Sequence, residues 1–382
     1  MISLSSPKIL GKEKEYIDEC LQSGWISTSG PFIEKFENEL SKYVGAKYVV
    51  CCINGTSALQ ISLKLMGVKK NDEVIVPTLT FIATINAVFY NNASPIFMDC
   101  DEYYNLDTKK TINFIKNETY FEDGFSYNKK SNKRVAAIVP VHVWGNAVWF
   151  DELYDLCSER NIQILEDASE SLGTKYTKGK FNSFHTGTIG KIGCISFNAN
   201  KLITAGGGGA IVTNDKNIAD KALYLVSQAK DDPIRYIHNE VGYNYRITNI
   251  NAAIGLAQLE MVDEVLKRKE EIRNFYFNQI SSINGLELAS VPCYAKNNYW
   301  LNLITLSHNY KHNISELLNK FDENKIQTRP VWQLNHLQNQ YKHYQKFNIM
   351  NAEKKIKSSL CIPSSSHLTI SQMESVINIL KN

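Results

Sequence analysis

Between residues 48 and 214 the chain alternates short, almost uninterrupted apolar runs with stretches whose apolar residues recur every three or four positions. The runs are YVVCCIN, EVIVP, SPIFMDC, RVAAIVPVHV, IQILEDA, CISFN and GAIVT. A strand with one wet face alternates apolar and polar residues, and a strand covered on both faces does not. These runs therefore predict strands of a buried, largely parallel sheet. Between the first two lies GTSALQISLKLMG, where Leu59, Leu63 and Met66 follow the i, i+4, i+7 spacing of an amphipathic helix. Strands separated by helices imply βαβ units. One interruption, TYFEDGFSYNKKSNKRV, combines Asp-Gly with a polar Asn/Lys/Ser cluster and predicts a hairpin-like excursion.

Beyond Asn249 the pattern changes. NAAIGLAQLEMVDEVLKRKEEIRNFYFNQI reads as one long helix with charges on its outer face, and the rest of the chain mixes short strands and helices punctuated by Pro330 and Pro363. The expected division is an N-terminal segment and large domain over residues 1–248, then an interdomain helix and a smaller α+β domain over 249–382. Internal repeats and low-complexity tracts are absent from the sequence.

Composition narrows the partners. The 382 residues are 43% hydrophobic and 21% charged, a globular balance, and the formal charge of +3 comes without a basic run. Nucleic acid is a poor default partner for such a chain. The opening MISLSSPKIL has no apolar core of a signal peptide, and no apolar segment has the length to span a bilayer, so no membrane partner is expected. Eight scattered cysteines without a C-x-x-C pair read as reduced thiols of a cytoplasmic protein, with no metal site.

Candidate chemistry centres on CISFNANKLITAGGGGAIV, where a strand end meets Lys201 and then Gly206 to Gly209. Taken alone, a lysine there is most simply a solvated side chain. Two other features change its meaning. NGTSAL is a strand-to-helix turn whose Thr56 and Ser57 fall on a helix N-terminus, where exposed N–H groups suit a phosphate, although such residues also serve simply as caps. Asp167, in ILEDASES, falls at the carboxyl end of a parallel strand, the edge at which open α/β sheets bind ligands. Phosphate cradle, carboxylate and lysine together are what pyridoxal phosphate (PLP) requires. On this reading the four glycines keep bulk away from a cofactor beside Lys201.

NGTSALQ, VPTLTFIATINAV, PVHVWGN, EDASES, GCISFNANKLITAGGGG and GYNYRITNINAAIGLAQLE succeed one another in an order that resembles the DegT/StrS family of nucleotide-sugar aminotransferases, along essentially the whole chain. The resemblance implies the aspartate-aminotransferase (type I PLP) fold, α/β, with a mostly parallel seven-stranded sheet in the large domain. It implies a cycle between PLP and pyridoxamine phosphate (PMP), with L-glutamate as the amino donor and a nucleotide sugar as acceptor. By the same resemblance Lys201 is the Schiff-base lysine and Asp167 the partner of the pyridinium nitrogen. Thr56, Ser57 and Ser196 hold the phosphate, and Phe81 stacks on the ring. Asn244 reaches the phosphate of a neighbouring subunit, which implies a homodimer with shared active sites.

One departure is informative: EDASE stands where the family commonly has EDAAQ or EDAAH, so that Glu170 occupies the polar position near the cofactor hydroxyl. With NANK before the glycines, the segment QAKDDPIRYIHNE and the added TYFEDGFSYNKK stretch, it resembles the enzymes of legionaminic-acid assembly. Those aminate C4 of a UDP- or GDP-linked 2-acetamido-4-keto-2,6-dideoxyhexose. Alternatives are a perosamine-like acceptor without the acetamido group, or a PLP or sugar-nucleotide sensor without turnover. Relatives that dehydrate sugars carry histidine in place of Lys201. In RPVWQLNHL, Arg329, Trp332 and His336 are candidates for the nucleotide diphosphate and base, or else for a buried hinge. His142 and His185 read as structural.

Overall fold

The computed structural model describes residues 1–9 and 11–382. All seven predicted runs enter one sheet, in the order Tyr48–Cys52, Gly209–Thr213, Ile192–Ser196, Gln163–Asp167, Val135–Ile138, Glu73–Pro77, Ser94–Met98. Neighbours are parallel except around Gly209–Thr213, which runs antiparallel to both flanking strands. Beyond the expected seven, Lys346–Phe347 extends the far edge as an eighth strand, parallel to Ser94–Met98.

The continuous apolar character has the expected cause. In the first strand Val50 faces Leu59, Leu63, Ala222 and Leu225 of the helices Gly55–Leu65 and Lys216–Val226. Its neighbours Val49 and Cys51 face Phe36, Leu40, Ala253 and Leu256 of the helices Pro31–Val44 and Asn249–Glu260. With successive side chains on opposite faces and helices on both, no position is left for a polar residue. The excursion is a hairpin of Thr119–Glu122 and Phe125–Asn128, turned by Asp123 and Gly124 at positive φ, as a two-residue connection demands.

The long helix is two helices, Asn249–Glu260 and Val262–Ile280, broken at Met261 (φ −103°, ψ 4°). The first packs on the large sheet's helices. The second turns Ile272, Tyr276 and Ile280 into a separate core with Leu317, Phe321, Met373 and Ile377. One straight axis cannot serve both cores. That second core covers an antiparallel sheet ordered Leu286–Leu288, Asn302–Leu306, Ser359–Ile362, Arg329–Pro330. A domain boundary at 248/249 is proposed with crossings in both directions: the helix Asn249–Glu260 and the strand Lys346–Phe347 pack with the large unit, and Ile2 pairs with Ile326 of the small one. Among the described residues no helix is long and apolar enough to cross a membrane.

Candidate active site

A cleft of about 520 Å³ opens where the parallel strands end and the C-terminal unit meets them. Asp167 and Ser196 are the last residues of their strands, and the helix Gly55–Leu65 points its N-terminus into the same space. Asn54 caps that helix, its Oδ1 accepting the Ser57 N–H at 2.7 Å. Gly55 and Thr56 line the cleft, and first-turn amides have no helical carbonyl to meet, so they face it as donors. A Cβ on Gly55 would lie 3.0 Å from the Ser196 Cβ, so this corner admits backbone and a ligand but no further side chain.

Asp167 is 4% exposed, and its oxygens are aimed by two donors, Thr84 Oγ1 at 2.7 Å and the Ser169 N–H at 3.1 Å. Its neighbour Glu166 points the other way. It accepts from the amides of Gly187, Ile189 and Gly190 and from His142 Nε2, which ties down the loop before Ile192–Ser196. His142 Nδ1 accepts the Val148 N–H, so its proton sits on Nε2; the residue is structural. His185 lies outside the cleft against Tyr43, and burial lowers its pKa to about 4.

Lys201 Nζ lies 3.5 Å from Glu170 Oε1 and 4.3 Å from the centroid of the Trp300 ring. Glu170 Oε2 accepts the backbone N–H of Trp144 at 2.7 Å. Burial pushes the Glu170 carboxyl above the usual carboxylate range against the pull of Lys201 and the Trp144 N–H, and the nearby Asp167 adds to the rise. The Trp144 N–H thus holds one carboxyl oxygen and the Lys201 amine lies against the other. Glu170→Gln preserves an acceptor for Trp144 and removes the titration. Turnover is expected to stay within about tenfold of wild type, and the acid limb of the kcat–pH profile should flatten. A loss as deep as that of Lys201→Ala would make the carboxyl a catalytic acid or base.

The cleft's outer wall is aromatic. Trp332 stacks on Trp144 (centroids 4.9 Å, 24°) and meets the 53%-exposed Phe81 edge-on at 6.2 Å. Arg329 lines the same wall. Of the residues expected at the site, Thr56, Phe81, Asp167, Glu170, Ser196, Lys201, Arg329 and Trp332 line this cleft. Ser57 stands just behind it as part of the capped turn. His336 is not brought there: it is buried behind the turn before Phe81, its Nδ1 2.6 Å from Thr78 Oγ1. Asn244 is exposed, away from its own chain's cleft, in a backbone bridge with Ser227.

The glycine run also has a different reason from the one expected. Gly206 to Gly209 do not line the cleft. A Cβ on Gly209 would sit 2.5 Å from the Asn54 carbonyl carbon and the Gly55 nitrogen, while Gly206 and Gly208 hold positive φ. Their bareness lets one strand press against the turn that starts the helix Gly55–Leu65. Thr84, Trp144, Ser169 and Trp300 escaped sequence reasoning. Thr84 left a signal as a hydroxyl three residues after Phe81 in VPTLTFIAT, and Trp144 and Ser169 stood within PVHVWGN and EDASES.

Amide cradle, strand-end carboxylate and enclosed lysine in one cleft fit PLP, and fold and site together define an enzyme that uses it. The chain belongs to the DegT/DnrJ/EryC1/StrS aminotransferase family, whose model matches residues 7–381. It is therefore a PLP-dependent sugar aminotransferase. It is similar to the GDP-perosamine synthase of Escherichia coli O157:H7, 39% identical over 349 residues that cover 91% of this chain and 89% of that one. The UDP-2-acetamido-2-deoxy-3-oxo-D-glucuronate aminotransferase of Pseudomonas aeruginosa is 32% identical over 273 residues, 70% of each chain. A DegT DnrJ EryC1 StrS aminotransferase from Brucella abortus superposes with a TM-score of 0.86 at 25% identity, covering 97% of this chain and 94% of that one.

Proposed function

We propose that the enzyme moves the amino group of L-glutamate to C4 of a nucleotide-linked 2-acetamido-4-keto-2,6-dideoxyhexose, giving a 4-amino-4,6-dideoxy sugar for legionaminic acid or a related surface glycan. The observation that carries the aminotransferase part is the convergence of Lys201, Asp167 and the capped helix N-terminus in one cleft. Bound there, PLP supplies an electrophilic carbonyl carbon and a ring that stabilises a carbanion. Thr56, Ser57 and Ser196 hold its phosphate, and Phe81 covers one face of the ring. The Asp167 carboxylate keeps a proton on the ring nitrogen. Lys201 Nζ, once free, takes the proton from the donor's α-carbon as a general base and later returns one as an acid. Glu170 offers a polar contact at the far side. Arg329 suits the acceptor's diphosphate by charge and Trp332 its base by stacking.

The sugar is argued from Glu170, the NANK segment, QAKDDPIRYIHNE and the hairpin excursion taken together. A second reading has its own support: the relative named GDP-perosamine synthase favours an acceptor without the acetamido group. Product analysis with UDP- and GDP-linked 4-keto sugars of both kinds decides between them. If the pocket reads the acetamido group, the 2-hydroxyl analogue loses about tenfold or more in kcat/KM, roughly 1.4 kcal/mol of transition-state binding. Equal efficiency on that analogue, or amination only of a 3-keto sugar, overturns the acetamido assignment and leaves the transaminase intact.

The working form is proposed to be a homodimer in the cytoplasm, in keeping with eight free cysteines of which only Cys293 is exposed. In that dimer Asn244, exposed and outside its own cleft, contributes to the partner's phosphate site. Mixing Lys201→Ala with Asn244→Ala subunits then places both lesions in one site of each mixed dimer and leaves the other intact, so activity returns. No recovery despite confirmed subunit exchange means that Asn244 acts within its own chain.

A further inference from the structure

We propose that Trp300 is a positioning residue for Lys201, and that the buried Lys269 holds Trp300 in place. Trp300 is 2% exposed and touches the lysine loop twice. Its Nε1 donates to the carbonyl of Asn200, the residue before Lys201, at 2.6 Å, and its ring lies under Lys201 Nζ at 4.3 Å. One side chain thus fixes both the backbone that carries the lysine and the place where its amine rests. Glu170 bounds that amine on another side at 3.5 Å.

The main chain of Trp300 is itself tied down. Its backbone N–H donates to Asn298 Oδ1 at 2.9 Å, and its carbonyl accepts Lys269 Nζ at 2.9 Å. Lys269 is 3% exposed, and its second bond goes to the Ser364 carbonyl. The Ser364 N–H donates to Leu4 O at 2.7 Å, and the next residue, Ser5, returns a hydroxyl to the same Asn200 carbonyl at 3.0 Å. The contacts close a circuit through Asn200, Trp300, Lys269, Ser364 and the Leu4–Ser5 segment. Among the described residues no carboxylate lies within ion-pair distance of Lys269. A buried ammonium met only by carbonyls is an expensive way to stabilise a fold, since an apolar side chain of similar volume avoids its desolvation. One of its two bonds instead fixes the carbonyl of the residue beneath Lys201, and the other joins that point to Ser364. Placement of a reacting amine in advance is worth large rate factors, because the freedom it gives up is lost before reaction.

This rests on Lys201 being the amine that reacts with PLP, and the test separates the two ideas. Apoprotein is mixed rapidly with PLP, and absorbance tracks the condensation in which the Lys201 nitrogen and the aldehyde carbon join and water leaves. PMP, which has no aldehyde, is titrated separately to report the rest of the site. Trp300→Leu should slow condensation about tenfold or more while PMP affinity stays within about twofold of wild type. Trp300→Phe, which keeps a ring face and loses the bond to Asn200, should fall between. Lys269→Met should slow condensation in the same direction. An unchanged rate in Trp300→Leu, or equal losses of condensation and PMP affinity in both Trp300 variants, would overturn the proposal by making Trp300 a packing residue only. Condensation persisting in Lys201→Ala would overturn the underlying reading, and this proposal with it.

Discussion

Lys201→Ala is expected to lower kcat by about a thousandfold or more, the scale of a lost general base, with the fold intact. Two roles vanish together. On the proposed mechanism the amine that would anchor the cofactor's carbonyl is gone, and so is the base that would move the proton at the donor's α-carbon. Structure should survive because the side chain's contacts are few: Glu170 at 3.5 Å and the Trp300 ring. The protein should still bind PMP through the cradle at Gly55, Thr56 and Ser196. Steady-state turnover with glutamate and a keto-sugar acceptor, beside a melting curve, makes the measurement. Multiple turnovers at more than a few per cent of the wild-type rate would refute the assignment of Lys201.

Asp167→Ala is expected to cost about a hundredfold to a thousandfold in kcat, by analogy with removing one preorganised electrostatic contact. The carboxylate sits nearly closed off from water, held by Thr84 Oγ1 and the Ser169 N–H. In that setting a formal charge is screened less than at the surface, and on the proposed mechanism it would act on a protonated ring nitrogen. Asp167→Asn keeps the shape and one acceptor oxygen, so it separates charge from packing. If only the alanine variant suffers, Asp167 is a spacer; if both fall together with unchanged melting, the charge is what matters. A kcat within tenfold of wild type in both would remove the residue from the mechanism.

The sheet was legible because each strand carries enough apolar residues to betray two covered faces. The excursion was legible because Asp-Gly has few other uses. The break at Met261 was hidden: no proline or glycine stands at it, and only the existence of two separate cores decides that the axis must turn. Lys346–Phe347 is too short to carry any period. Lys201, Asp167 and Thr56 could be singled out because their chemistry shows in the residue type at a strand or helix end, whereas Phe81 was named by resemblance alone. Trp300 could not, since its importance lies in reaching Asn200 across a hundred positions of sequence. The glycine run was visible but its reason was not, because the surface it presses against, Asn54 and Gly55, lies far back in the chain. His336 looked like a ligand by type and serves Thr78 instead.

The way residues 2–6 are stitched bears on how the enzyme comes into being. Ser6 bonds to Ser365, 359 positions later, and Leu4 and Ile2 find their partners at Ser364 and Ile326. Residues 2–6 therefore cannot complete their docking until the chain has been made through residue 365. Ser5 then reaches the Asn200 carbonyl, so this late event also finishes the wall of the cleft. A nascent chain halted before residue 326 has every strand of the large sheet except its last edge, yet lacks Arg329, Pro330, Trp332 and Cys361 of the cleft's lining. The cleft's outer wall is thereby the last part of it to be made, after the residues of the phosphate cradle.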